Sequence, residues 1–174
     1  MIETRSLKTL TRRQLLSRGV AAGAGLVVGS GFVAGHDGAW ATEMDAMKPE
    51  SFATLVRMAR DIYPHDRIGD QYYAAAMKGY DVPEEVDFAQ DGIEVLEETS
   101  RAAGFDSYLN VGWEADRVAI LRGIQETEFF QRVRGGLVTG LYNQKEVWPI
   151  FGYQGESYSK GGYMHRGFDD ITWI

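Results

Sequence analysis

The chain has 174 residues, with 18 Lys and Arg against 25 Asp and Glu, 3 His and no Cys. That length holds one domain or two, and the lack of cysteine excludes disulfides, cysteine-ligated zinc, iron–sulfur clusters, thiol nucleophiles and covalent CxxCH haem. A net charge of -7 with an isoelectric point near 5.0 speaks against a nucleic-acid partner, because neutralising phosphates takes a surplus of Lys and Arg, and a mean hydropathy of -0.28 describes a soluble chain.

Residues 1–41 have the layout of an export segment rather than of folded structure. Thr11-Arg12-Arg13-Gln14-Leu15-Leu16 is a twin-arginine pattern, and Gly19 to Ala34 is an uncharged, mildly apolar stretch with five glycines. Ala39-Trp40-Ala41 then places small residues at both positions a signal peptidase reads. Charged head, apolar middle and A-x-A exit make a secretory signal, and the pair Arg12 and Arg13 assigns it to the twin-arginine route. A membrane anchor fits less well, since the uncharged run of about 16 residues is short of the roughly 20 apolar residues a spanning helix needs. A cytoplasmic basic arm explains the arginines but not Ala39 and Ala41. Cleavage after Ala41 removes 41 of the 174 residues and a charge of +3, leaving 133 residues at -10. One modest acidic domain remains.

Five helices are predicted in that domain. After a polar lead-in over 42–48, Pro49 suits a first helical turn, and Phe52, Leu55, Val56, Ala59 and Ile62 recur at helical spacing until Pro64. The loop Tyr63 to Arg67 leads into a second helix over about Asp70 to Gly79, with Tyr72, Tyr73, Ala76 and Met77. Val82-Pro83-Glu84-Glu85 opens a third, its acids at the favourable end of the dipole. Val86, Ala89, Ile93, Leu96, Ser100 and Ala103 form its inner face before Gly104 ends it. A loop over Gly104 to Gly112 precedes a fourth helix from about Glu114, with Val118, Leu121 and Gln125 on one line and Ile120 and Ile124 beside it. The fifth spans about Thr127 to Tyr142, with Phe130, Val133, Leu137 and Leu141. No sustained period-two alternation marks a strand. The expectation is an all-α, small irregular bundle over 42–147.

From Trp148 the character changes. Residues 148–174 hold seven aromatics in 27 positions (Trp148, Phe151, Tyr153, Tyr158, Tyr163, Phe168 and Trp173) together with five glycines. No period organises them, and the segment is too apolar for a disordered tail. An ordered, irregular C-terminal strap is expected. Either it folds back to complete the chain's own core, or it is a binding surface, since aromatic residues and Arg dominate the buried centres of interfaces.

Catalytic signals are thin. His65 beside Asp66 is the best place to seek a metal or a catalytic group, but the other histidines, His36 and His165, are far away in sequence. Loop capping by Asp66 is the plainer reading. Asp87, Asp91, Glu94, Glu97 and Glu98 could supply paired carboxylates for glycoside hydrolysis, yet their spacing puts them on the polar face of the third helix. Ser157 lacks the G-x-S-x-G frame of a hydrolase nucleophile. No dinucleotide fingerprint, P-loop or metal-ligand cluster occurs after residue 41. No catalytic or metal site is therefore assigned. This leaves a tension: the twin-arginine route carries folded, often cofactor-loaded proteins, and this chain shows no cofactor motif. Either the domain folds too fast for the unfolded-chain route, or a cofactor-loaded protein travels with it.

The residues resemble a family. Asp61-Ile62-Tyr63-Pro64-His65-Asp66, then Leu141-Tyr142-Asn143 and Glu146-Val147-Trp148 leading into Phe151-Gly152-Tyr153-Gln154-Gly155, are similar to the gluconate 2-dehydrogenase subunit 3 family. Gly161-Gly162-Tyr163 and Arg166-Gly167-Phe168-Asp169-Asp170-Ile171-Thr172-Trp173 resemble a subgroup found with sugar and glucoside dehydrogenases. The likeness runs over roughly residues 50–174. It implies a small, non-catalytic, periplasmic subunit without a cofactor of its own. Its partner would be a large GMC-type flavoprotein that binds FAD and oxidises a sugar, polyol or sugar acid, often with a cytochrome c subunit taking the electrons. The small subunit would carry the signal and escort the flavoprotein through the twin-arginine translocon. The contact residues expected are Trp148, Phe151, Tyr153, Tyr158, Tyr163, Phe168 and Trp173, with Arg166 as a polar anchor. The competing expectation is a stand-alone periplasmic enzyme or binding module centred on His65 and Asp66.

Overall fold

A computed structural model describes residues 44–165, and these fold into five α-helices with short 3₁₀ turns and no strand. The helices are α1 (Pro49–Ile62), α2 (Asp70–Met77), α3 (Val86–Ala102), α4 (Glu114–Ile124) and α5 (Glu128–Gly140). The all-α bundle expected from periodicity is what the chain adopts. No helix among the described residues is long and apolar enough to cross a membrane.

Local chemistry sets most boundaries. Pro49 occupies the first turn of α1, where its missing N–H costs nothing, and the helix ends at Tyr63, whose N–H still reaches Ala59 O. Thr127 caps α5 by accepting from the Phe130 N–H at 3.2 Å. α3 begins four residues later than Val82, because Val82 to Glu85 form a separate turn closed by Glu85 N–H and Val86 N–H on Val82 O. Gly104, at φ +92°, ends it in the left-handed region.

α1 lies at the centre and runs against every other helix. It buries Phe52, Leu55, Val56, Met58 and Ala59, so its inner surface is wider than the expected stripe. Ala89, Ile93 and Leu96 of α3, Ile120, Leu121 and Ile124 of α4, and Phe129, Val133 and Leu137 of α5 close over it. Gln125 is exposed rather than in line with the α4 core face. At Gly92 the Phe129 ring of α5 lies directly on α3: a Cβ there would stand 2.1 Å from it.

Two buried acids tie loops to this core. Asp61, at the end of α1, accepts from Arg117 Nε and the Tyr108 hydroxyl, both at 2.8 Å. Arg117 also donates to Val111 O and Gly112 O, so the loop before α4 is fixed through one guanidinium. The second acid, Asp81, receives the lead-in to α1. Glu97 departs from the expected solvated face of α3: it is half-buried and accepts from the Tyr108 N–H at 2.9 Å. Asp87, Asp91, Glu94 and Glu98 are exposed as expected.

Candidate functional site

Past α5 the chain stays anchored for one more turn and then leaves the body. Leu141 and Val147 are fully buried, and the Gln144 amide donates to Tyr72 O and Gly140 O. A 3₁₀ turn over Trp148–Phe151 follows, ended by Gly152 at φ +77°, a conformation that favours glycine. The Trp148 indole N–H donates to Tyr142 O at 2.8 Å, and its ring meets Tyr153 edge-on at 5.1 Å. Phe151 lies 5.7 Å from the Tyr142 ring and 5.2 Å from the His65 imidazole. Trp148 and Phe151 are thus the inner end of the aromatic segment.

Between Gly152 and residue 165 the aromatic side chains are turned to solvent, Tyr153 in part and Tyr158 and Tyr163 for the most part. Tyr153 is 50% exposed, Tyr158 93%, Tyr163 77% and Met164 78%. A second 3₁₀ turn, Tyr158–Lys160, ends at Gly161, φ +87°, so the backbone is built from two glycine-terminated turns rather than a helix. Gly162 N–H to Ser157 O and Lys160 Nζ to Gln154 O close the second turn on itself. Lys145, Trp148, Pro149, Tyr153 and Lys160 border an open groove of about 580 Å³. The two readings of the tail therefore divide just past Gly152: Trp148 and Phe151 join the body, Tyr153 leans on Trp148, and Tyr158 and Tyr163 stand clear.

His65 sits on the other side of Phe151. Its Nε2 shares a 2.7 Å hydrogen bond with the Tyr142 hydroxyl, and the two rings meet edge-on at 5.6 Å. Burial, then the Arg60 guanidinium, lowers its pKa below the ordinary value, and Asp66 offsets this in part. Arg60 is itself held by Ile68 O and Asp70. Asp66 is exposed and does not close the loop; the Ile68 N–H on His65 O does. His65, Asp66 and Arg67 line a recess of about 420 Å³ walled by Ile68, Ile150 and Phe151. Among the described residues, no group of three or more His, Asp or Glu side chains gathers as a metal site.

Of the residues singled out from sequence, Trp148, Phe151, Tyr153, Tyr158 and Tyr163 fall on one continuous segment. Arg12, Arg13, Ala39, Ala41, Arg166, Phe168 and Trp173 lie outside the described residues. Trp113 was missed: it is 79% exposed at the N-terminal cap of α4. Family models, curated proteins and solved structures compared with this chain give no match.

Proposed function

We propose that this chain is the small, non-catalytic subunit that escorts and stabilises a large FAD-dependent, GMC-type dehydrogenase acting on a sugar, polyol or glucoside in the periplasm. The twin-arginine pattern and the family resemblance suggest the class. The observation that carries the reading is the exposed row Tyr153, Tyr158, Tyr163 and Met164, held out on an anchored base. Apolar and aromatic side chains displayed together mark surfaces that a partner covers. In this role FAD, hydride transfer and any cytochrome c belong to the partners. This chain contributes binding surface and the export segment.

The test is an affinity purification of the C-terminally tagged chain from the periplasm, read by flavin absorbance and partner mass. A co-purifying yellow protein several times larger is the expected result. Recovery of the chain alone and colourless, with the tag accessible, overturns the reading. A second reading, a stand-alone enzyme at His65, draws on the recess that His65, Asp66 and Arg67 line. It requires activity from the purified chain alone and its loss in His65→Ala.

A further inference from the structure

The chain carries a net charge of -7, and Arg57, Arg60, Lys78, Arg101, Arg117 and Arg132 each pair with a carboxylate of the helical body. Among the described residues Lys145 and Lys160 pair with none, and both border the open groove of about 580 Å³ at the base of the C-terminal segment. Trp148, Pro149 and Tyr153 give that groove an apolar wall. Lys145 Nζ stands 5.9 Å from the centre of the Trp148 ring, so an ammonium group and an aromatic face are presented together. Lys160 Nζ donates to Gln154 O, and an ammonium has two further N–H groups to offer. The Trp148 ring is fixed by its indole N–H on Tyr142 O and by Tyr153 edge-on, so the wall is formed before anything binds.

Glu156 reports the field of these two lysines. It stands outside the lining, and its carboxyl is held below the ordinary value by its own N–H and the Ser159 hydroxyl first, and then by Lys145 and Lys160. Both ammonium groups therefore favour a carboxylate at this end of the molecule. A phosphate fits less well. Anion nests use converging backbone N–H groups, and those of Gly152, Tyr153, Lys160, Gly161 and Gly162 are engaged by carbonyls within the two turns. Two separate ammonium groups on flexible stems, beside an apolar wall, match carboxylates spread along a peptide that also carries an apolar side chain.

We propose that this groove seats an acidic segment of the partner dehydrogenase, its carboxylates on Lys145 and Lys160 and an apolar side chain on Trp148 and Tyr153. The inference rests on the proposed role of the chain as a small subunit, and it adds the chemistry of the surface that docks. Complementary charge steers encounter and fixes register. The acidic remainder of this chain repels such a segment from its other faces. The groove thus decides where on this subunit the partner is held.

The test holds the proposed flavoprotein on the tagged chain and reads what is retained by flavin absorbance. Raising NaCl from about 0.05 M to about 0.5 M shortens the reach of the charges and should release the partner. Lys145→Glu with Lys160→Glu should lower retention about tenfold or more, and Lys145→Gln with Lys160→Gln should lower it less. Arg122→Glu with Arg134→Glu makes the same change of charge at exposed sites on α4 and α5, and should leave retention close to that of the parent. If the glutamate pair fails to fold, the glutamine pair and the salt series decide. Equal retention by the groove variants and the parent, or retention indifferent to salt, overturns the groove and leaves the subunit reading intact. An equal loss in the Arg122 and Arg134 variant also overturns it, by assigning the attraction to overall charge. Salt-sensitive self-association of the chain purified alone, abolished by the glutamate pair, would give the groove to a second copy and overturn its assignment to the dehydrogenase. A parent chain that retains no flavoprotein overturns the subunit reading, and the groove's occupant falls with it.

Discussion

Tyrosines in the helical body and tyrosines in the C-terminal segment are the same side chain put to opposite uses. Tyr73 and Tyr108 are fully buried, and each hydroxyl has a designated acceptor: Tyr63 O at 2.6 Å and Asp61 Oδ2 at 2.8 Å. Burial pushes the Tyr73 phenol up to about 12, and burial followed by the Asp61 charge raises that of Tyr108. Tyr158 and Tyr163 are mostly in solvent. The body is therefore complete without the outer rings, and their apolar surface is left over. That surplus is the physical basis for the proposed partner contact.

The comparison breaks most severely at the buried ion pair. Arg117→Ala takes from the Asp61 carboxylate its close cation, leaving it the Tyr108 hydroxyl and Arg57 at 3.7 Å, and frees the loop that Arg117 anchors; the loss is expected at about 3 kcal/mol, the low end for breaking a buried pair. Urea unfolding should show that loss. A drop under 1 kcal/mol would mean that the Asp61 site is hydrated rather than sealed. Gly92→Ala comes next: the new Cβ meets the base of the Phe129 ring, not a flexible tip, and overpacking of this kind costs about 1–3 kcal/mol. Gly92→Ala combined with Phe129→Leu should recover part of it, and failure to do so would place the strain elsewhere.

A smaller effect is expected in the pH profile at the junction of the two regions. His65 has a folded pKa below its ordinary 6.5, so the unfolded chain takes up this proton first. The stability contributed by neutral His65 is fully present above about pH 6.5 and fades as pH falls from there toward the lower folded value. His65→Gln should flatten that part of the stability–pH curve. An unchanged slope would assign the dependence to another group.

The smallest effect on stability, and the most informative for function, belongs to the outer tyrosines. Tyr158→Ala with Tyr163→Ala should leave the midpoint of unfolding within about 0.5 kcal/mol of the parent, as exposed substitutions generally do. The same pair should weaken co-purification of the proposed flavoprotein partner by tenfold or more. Trp148→Ala with Tyr153→Ala should also break the complex, with some loss of stability because the Trp148 indole is bonded to Tyr142 O. Intact co-purification of both double variants would remove the C-terminal segment from the interface.

Much of the body was legible before its structure. Periodic apolar residues, Pro49, Pro64 and Gly104 located four helices to within a few residues, because helical spacing, proline and glycine act within a turn or two of the chain. The opening of α3 was misplaced by the same logic: Pro83 with two acids reads as a first helical turn, and here it makes a separate turn instead. Buried polar residues were not legible. Arg117 drew no notice and Glu97 was read as one more acid on a polar face, since each depends on partners brought up by another element. In the candidate site the aromatic composition announced the segment, but not that Phe151 would pack against His65 while Tyr158 would stand free.

The sequence by itself determined the helical class, the helix order and the change of character at Trp148, all of which follow from side-chain periodicity and backbone preference over short distances. Only the tertiary structure decided which charges are buried and which aromatic rings are covered. The pairs concerned are Met47 with Asp81, Asp61 with Arg117 and His65 with Tyr142, separated by 34, 56 and 77 residues. A buried charge or hydroxyl is stable only when its partner is in place, and no local pattern records a partner that far along the chain.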